Sequence, residues 1–154
     1  MDVQIKQQPA LRCFCLRHVG PYDRIHEAFD ELHGIAVRAG LDGLAGVRLL
    51  ALYHDDPETT PSAELRSDAA VAVPEGAPVP EGLAEQRSPA GRYAMTIHVG
   101  PYERIGETWA RLKGQWLPAS GERMGKGPSY EIYRNTPAEV PKEQLVTEIY
   151  VPLA

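Results

Sequence analysis

The group best suited to chemistry is an acid among aromatic side chains near the end of the chain. Segment 146–153 alternates in polarity, which predicts a strand with Glu148 and Tyr150 on one face and aliphatic residues on the other. A carboxylate ringed by aromatic faces suits a flat, lipophilic cation, because the rings supply area and cation–π attraction. The buried negative charge is then neutralised only when the cation arrives. The alternative is that this face is exposed to solvent and Glu148 has no functional role, since single acidic residues are usually exposed.

Two features favour a binding site over a wet face. Aromatic side chains are concentrated in the second half of the chain, at Tyr93, Tyr102, Trp109, Trp116, Tyr130, Tyr133 and Tyr150. An acid also occurs at the equivalent point of the first half, because Asp68 precedes Glu148 by eighty residues. The candidate ligand-binding residues are therefore Glu148, Tyr150, Tyr133, Trp109, Trp116 and Phe29.

The remaining reactive residues predict neither a metal site nor a cofactor site. His18 and His98 have no cysteine or carboxylate at ligand spacing and are better explained by local hydrogen bonds. The acidic loop at His54-Asp55-Asp56 is bounded by prolines, which is typical of a solvated turn. Cys13 and Cys15 are two apart on a predicted strand and are interpreted as small buried apolar residues. No phosphate-binding glycine loop or Ser-His-Asp spacing is present.

An internal repeat must position these side chains. His18-Val19-Gly20-Pro21-Tyr22 returns eighty residues later as His98-Val99-Gly100-Pro101-Tyr102, and the register continues without a gap to Val71 and Val151. A repeat of this length indicates a duplicated supersecondary unit. We expect a pseudo-two-fold pair within a single domain of residues 1–154, with halves at about 1–75 and 80–154 and a groove at the seam.

Each half predicts the order strand, helix, strand, strand. In the second half the apolar helical stripe contains Trp109 and Trp116, where the first half has Phe29 and Ala36, and Pro118 is predicted to end the helix. The strands are predicted at 11–18, 47–54, 66–73, 92–98, 129–134 and 145–153, with a proline-rich linker over 73–89 in which 83–87 is a candidate short strand. This pattern predicts an α+β fold with antiparallel sheet and two main helices.

Composition excludes several classes of function. The net charge of −5 and scattered basic residues argue against direct nucleic-acid binding. No apolar run reaches the length of a membrane span, and the amino terminus lacks the pattern of a signal peptide. We therefore expect a cytoplasmic protein without membrane contact.

The motifs in this order resemble the GyrI-like, or bacterial effector-binding, domain family over nearly the whole chain. They are Ala90-Gly91-Arg92-Tyr93-Ala94, His98-Val99-Gly100-Pro101-Tyr102, the Trp109 to Trp116 helix with Leu117-Pro118 and Ser120-Gly121, Tyr130-Glu131-Ile132-Tyr133, and Thr147-Glu148-Ile149-Tyr150-Val151-Pro152-Leu153. The resemblance implies two strand-helix-strand-strand modules with a ligand groove between them. It also implies that a Glu of the last strand, here Glu148, faces lipophilic cations and that Tyr150 shares its wall.

The resemblance implies three alternative functions. The first, which we favour, is a free-standing binding protein for lipophilic, often cationic drugs or toxins that acts by sequestration or through a partner. The second is a hydrolase of cyclopropane-bearing genotoxins in which Glu148 orients water. The third is a modulator of DNA gyrase that acts by protein contact. The family also includes sensor domains of transcription regulators, but the sequence contains no predicted DNA-binding segment.

Overall fold

The computed structural model describes residues 1–44 and 46–154. The chain forms two compact units. Unit 1 consists of Met1–Pro9 and Ala90–Ala154, and unit 2 consists of Ala10–Pro89. Within the described ranges we find no helix with the length and apolarity that crossing a bilayer requires.

The secondary structure confirms the predicted α+β class. The strands are β1 (Gln4–Gln8), β2 (Arg12–Val19), β3 (Arg48–Tyr53), β4 (Arg66–Ala72), β5 (Ala84–Arg87), β6 (Gly91–Val99), β7 (Ser129–Tyr133) and β8 (Val146–Pro152). The helical elements are α1 (His26–Arg38), α2 (Ile105–Arg111), a π-helical segment (Leu112–Trp116) and α3 (Leu117–Ser120). Short 3-10 turns lie at Tyr22–Arg24, Leu41–Gly43, Ser62–Glu64, Tyr102–Arg104 and Lys142–Gln144.

The two units have the same antiparallel strand register. In unit 2 the strand order is β5-β2-β4-β3, and in unit 1 it is β1-β6-β8-β7. Leu50 pairs with Ala70 in unit 2. Eighty residues later, Tyr130 pairs with Tyr150 in unit 1. The duplication predicted from the repeat is therefore confirmed at the level of individual strand pairs.

The repeated HVGPY segments have matching local structures. Gly20 and Gly100 both have φ 132°, a region that disfavours side chains with a Cβ atom. His18 Nε2 donates to the Pro21 carbonyl oxygen at 3.0 Å, and His98 Nε2 donates to that of Pro101 at 3.1 Å. These bonds confirm the interpretation that local hydrogen bonds fix both histidines.

Neither edge strand pairs with the strand that follows it in the sequence. β1 precedes β2 but pairs with β6, and β5 precedes β6 but pairs with β2. The registers are equivalent, because Gln7 lies opposite Arg92 and Arg87 lies opposite Arg12. As a result, the compact units differ from the sequence halves 1–75 and 80–154, and the amino-terminal strand is part of unit 1.

One helix covers a face of the sheet in each unit. In unit 2, Leu32 and Ala36 of α1 pack with Phe14, Ala69 and Val71. In unit 1, Ile105 and Leu112 pack with Ile149 and Val151, and Val3, Trp109 and Trp116 lie against this cluster. We call these sheet surfaces the helix faces.

The prediction that Pro118 ends the second helix is wrong. The chain stays helical to Ser120 because the turn before Pro118 widens into the π-helical segment, where the Leu117 N–H donates to the Leu112 carbonyl. Proline lacks an N–H group but is tolerated in the first turn of a helical segment. The wide turn therefore lets the helix continue past Trp116.

Cys13 and Cys15 are buried free cysteines, as predicted. Burial raises the pKa of Cys13 to about 11 and raises that of Cys15 further. The reactive thiolate is therefore disfavoured at both positions.

A buried acid holds three strands of unit 2 together. Asp68 of β4 is 1% exposed and accepts hydrogen bonds from Arg17 Nε at 2.7 Å, His54 Nε2 at 2.5 Å and Gln86 Nε2 at 2.9 Å. Burial by itself raises the pKa of Asp68, but these hydrogen bonds outweigh it and lower the pKa to about 2, from an ordinary value of 3.8. The ionised form of Asp68 therefore stabilises the folded state.

Asp68→Asn should lower the free energy of unfolding at pH 7 by about 2 kcal/mol, because a pKa depressed by almost two units is lost. Since the folded pKa lies below the unfolded one, this stabilisation exists above the unfolded pKa and disappears as the pH falls through 3.8 toward about 2. Urea unfolding of wild type and variant at pH 7 and pH 2.5 measures both effects. The exposed Asp42→Asn is the matched control, and an equal Asp68→Asn loss at both pH values would contradict the assignment.

Candidate ligand-binding site in unit 1

Glu131 of β7 is a buried carboxylate on the helix face of unit 1. It lies opposite Ile149 in the β7–β8 register and is 3% exposed. Trp109 Nε1 donates to its Oε1 at 2.6 Å, and the Tyr133 hydroxyl donates to its Oε2 at 2.7 Å. Two aromatic side chains therefore hold this carboxylate by short hydrogen bonds.

Local sequence spacing explains how these three residues meet. Trp109 lies four residues after Ile105 and three before Leu112, so all three share the stripe of the helix that packs on the sheet. Tyr133 follows Glu131 by two residues in the same strand, which places both side chains on the same face. The helix and β7 thus present an indole, a phenol and a carboxylate to one another.

Tyr102 extends the aromatic wall of the site. Its ring meets that of Tyr133 edge-on, with centroids 5.5 Å apart and an interplanar angle of 66°. Burial raises the pKa of Tyr102, and the negative charges of Glu131 and Glu139 raise it further. Tyr102 is nevertheless 37% exposed, so the wall reaches solvent.

Unit 2 is an internal control for this arrangement. The position equivalent to Glu131 is Ala51, which is fully buried, and the position equivalent to Trp109 is Phe29, which packs against the apolar cluster of its own unit. The fold is therefore built without an acid at this position. Burying a charge costs free energy, and the shared fold does not require it here, so Glu131 is a candidate functional residue.

Glu148 lies on the opposite face of the unit 1 sheet. It pairs with Ile132, and its side chain is 13% exposed. Its Oε1 accepts from the Tyr150 hydroxyl at 2.6 Å, and its Oε2 accepts from Arg134 Nε in an ion pair. The expectation that a ligand alone neutralises Glu148 is therefore wrong, because Arg134 follows directly after β7 and reaches the carboxylate.

Tyr150 belongs to a packed cluster of tyrosines on the face of Glu148. It stacks on Tyr130 at 4.8 Å, and Tyr93 meets it edge-on at 6.3 Å. All three rings are nearly or fully buried. These phenols form the core of that face rather than an open wall.

The structure separates the predicted site residues into three groups. Glu148 and Tyr150 lie on one face of unit 1, Tyr133, Trp109 and Trp116 lie on or against the helix face, and Phe29 lies in unit 2. Glu131, which completes the second group, was not among the predicted site residues. Two signals in the sequence could have identified Glu131. It lies two residues from Tyr133, so both are on the same face of the strand, and the repeat aligns it with the apolar Ala51.

Within residues 1–44 and 46–154, no three His, Cys, Asp or Glu side chains are arranged to hold a metal ion. Asp55, which sequence spacing placed beside His54, instead forms an ion pair with Arg66 at 2.8 Å. The hydrogen-bond donors to the Glu131 carboxylate include an indole and a phenol.

Comparison with known proteins gives a family match across the whole chain. The model of the GyrI-like small molecule binding domain matches residues 1–154. The probable transcriptional regulator YgiV of Escherichia coli K12 is 31% identical over 157 residues, covering 100% of this chain and 97% of that protein. A DNA gyrase inhibitor of Yersinia enterocolitica is 35% identical over 136 residues, covering 85% and 84%.

Solved structures share the fold at lower identity. The EcmrR C-terminal domain has a TM-score of 0.80 at 19% identity and covers 99% of this chain and 97% of its own. SAV2435 bound to tetraphenylphosphonium has a TM-score of 0.67 at 13% identity, covering 100% and 94%. A hydrolase from Listeria innocua has a TM-score of 0.66 at 18% identity, covering 99% and 91%.

Glu148→Gln should lower the free energy of unfolding by about 1 kcal/mol, because it removes the charge that Arg134 contacts at a partly exposed site. A double-mutant cycle with Arg134→Gln measures the coupling by urea unfolding at pH 7. The matched control is the Arg104–Glu107 pair, in which both side chains are 65% exposed and the coupling should be near zero. Zero coupling between Arg134 and Glu148 would show that their ion pair does not stabilise the fold.

Proposed function

Because the chain belongs to the GyrI-like small molecule binding domain family, we propose that unit 1 binds lipophilic cations with Glu131 as their anionic partner. The observation that carries this proposal is the buried Glu131 carboxylate, hydrogen-bonded by Trp109 and Tyr133. The protein itself is a small-molecule-binding domain. The class of ligand and the residues that bind it are our proposal.

The chemistry of the site supports a cation over a neutral ligand. The Trp109 indole and the Tyr133 phenol donate hydrogen bonds to the negatively charged Glu131 carboxylate. A cation beside this carboxylate gains Coulomb attraction that partial burial strengthens. The rings of Trp109, Tyr133 and Tyr102 add area and cation–π attraction. A neutral ligand of the same shape gains only the area.

Tetraphenylphosphonium is a suitable probe because it is the ligand of one structural neighbour. It carries a delocalised charge inside four aromatic rings and has no hydrogen-bond donor. Binding of such an ion by a free-standing domain would lower its free concentration, which is the sequestration mechanism that we favour.

A contact with DNA gyrase is a second candidate function. It is supported by relatives that are named DNA gyrase inhibitor, one of them 35% identical. A supercoiling assay with purified gyrase tests it. Inhibition that Glu131→Gln leaves unchanged would separate a gyrase contact from ligand binding.

Hydrolysis is a third candidate, favoured by the phenol that contacts the carboxylate. In a cyclopropane-bearing substrate, Glu131 would accept a proton from water while the water oxygen bonds to a ring carbon and the strained C–C bond breaks. The electron pair of that bond would pass to the conjugated system of the substrate, where Tyr133 could stabilise the resulting oxyanion by a hydrogen bond. One structural neighbour is named a hydrolase.

Product analysis separates hydrolysis from binding alone. If the protein is a hydrolase, it should convert a cyclopropanoid substrate to its water adduct with multiple turnovers, and Glu131→Gln should abolish turnover because the proton acceptor is lost. Mass spectrometry measures the adduct. Recovery of unchanged substrate after incubation with wild-type protein would leave binding as the function.

For the binding proposal, wild-type protein should bind tetraphenylphosphonium with a Kd on the order of micromolar, equivalent to roughly 8 kcal/mol. Glu131→Gln should weaken this binding about tenfold or more, because it removes the negative charge. The same variant should change the binding of neutral triphenylphosphine oxide far less. Trp109→Ala should weaken both ligands, since it removes aromatic area. Isothermal titration calorimetry measures all these affinities.

Glu148→Gln is the matched control, since it changes an acid of the same unit on the opposite face. It should leave the affinity for tetraphenylphosphonium within about twofold. If Glu148→Gln rather than Glu131→Gln weakens the cation selectively, the assignment of Glu131 is wrong.

A further inference from the structure

A cavity of about 310 Å³ opens in unit 2, and none of its lining residues carries the proposed function. It lies at the end of the sheet where β2 and β3 begin and β4 ends. Its lining combines apolar and charged residues: Ala10, Leu11, Arg12, Gly46, Arg48, Ala72, Val73, Pro74 and Glu75. Its volume is at the lower end of the range for small-molecule sites.

Two of the three charged residues in this lining are already paired. Arg12 donates through Nε to Glu85 at 2.7 Å and through Nη1 to the Pro74 carbonyl at 2.9 Å, and its guanidinium lies over the ring of Phe14. Glu75 accepts two hydrogen bonds from Arg87, at 2.6 and 2.9 Å. These contacts fix the walls of the cavity and balance their charges.

Arg48 is the third charged residue, and its charge is not balanced in this way. It is exposed at the start of β3, opposite Ala72 in the register. Among the residues that the structure describes, it forms no ion pair and its side chain makes no hydrogen bond. A guanidinium group that forms no ion pair can bind a carboxylate by two parallel hydrogen bonds.

The equivalent end of the unit 1 sheet is closed by its own chain. Met124 forms a β-bridge with Leu153, and the Gly125 N–H donates to the Pro152 carbonyl at 2.8 Å. The position equivalent to Arg48 is Pro128, which has no charge. The duplicated fold therefore requires neither an open end of the sheet here nor an arginine at this position.

We propose that this cavity binds a small organic anion, with its apolar body against Leu11, Val73 and Pro74 and its carboxylate on Arg48. The ligand class is an aromatic or aliphatic monocarboxylate of a size that fits about 310 Å³. This site shares no residue with the site at Glu131, because all its lining residues belong to unit 2.

Calorimetric titration with 1-naphthoate tests the site, with naphthalene-1-carboxamide as the uncharged analogue. Wild-type protein should bind 1-naphthoate saturably at one site and the carboxamide at least tenfold more weakly. Arg48→Gln should weaken 1-naphthoate about tenfold, because it removes the charge but keeps most of the side chain. Arg48→Lys should retain part of the affinity. Ala10→Phe, which places a ring at the edge of the cavity, should weaken both ligands.

Arg38→Gln is the matched control, because Arg38 is another exposed arginine of unit 2. It should leave 1-naphthoate binding unchanged, as should Glu131→Gln and an excess of tetraphenylphosphonium. Equal losses in Arg48→Gln and Arg38→Gln, equal affinity for the acid and the carboxamide, or no saturable binding would each overturn the proposal. Competition by tetraphenylphosphonium would also overturn it, by making the two sites one. Failure of Glu131→Gln to affect cations would count against the proposed function alone.

Discussion

The hydrogen bonds that hold the Glu131 carboxylate between α2 and β7 are the interaction on which the candidate site depends. A buried carboxylate without such donors would cost several kcal/mol. The Trp109 and Tyr133 donors reduce that cost and also fix the positions of two aromatic rings around the charge. Through Trp109 the same contact joins α2 to β7. The Glu131 side chain therefore supplies the negative charge of the candidate site and also positions two of its aromatic rings.

Duplication allows each unit to serve as a control for the other, because the strand register is shared while the side chains differ. On the face away from the helix, unit 2 has Asp68 with His54, and unit 1 has Glu148 with Arg134 at the equivalent positions. An acid and a basic partner are therefore common to that face and are explained by stability. On the helix face, unit 1 has the buried Glu131 where unit 2 has Ala51. The difference between the units, rather than their likeness, distinguishes the candidate site from structural ion pairs.

Because β1 pairs with β6, the amino terminus is part of unit 1, which contains the candidate site. Val3, like Trp109 and Trp116, lies against the apolar cluster of unit 1, and Thr96 Oγ1 donates to the Asp2 carbonyl at 2.7 Å. β1 pairs with β6 over five residues. The first residues of the chain therefore help to support the sheet beneath α2, although they are about ninety residues from it in sequence.

The sequence by itself determined the repeat, the order strand, helix, strand, strand in each half and the two faces of those strands, because these follow from local periodicity and a constant offset. It did not predict β1 (Gln4–Gln8). It could not determine which acid the helix covers. Glu131 and Glu148 both lie on alternating strands, and only the pairing of Glu131 with Ile149 places it under Trp109. Nor could it determine the partner of Glu148, because Arg134 reaches it from beyond the end of the neighbouring strand. The pairing partners of β1 and β5 were also decided only in the tertiary structure. β2 and β6 have equivalent edges, and either edge strand pairs with them in the same register.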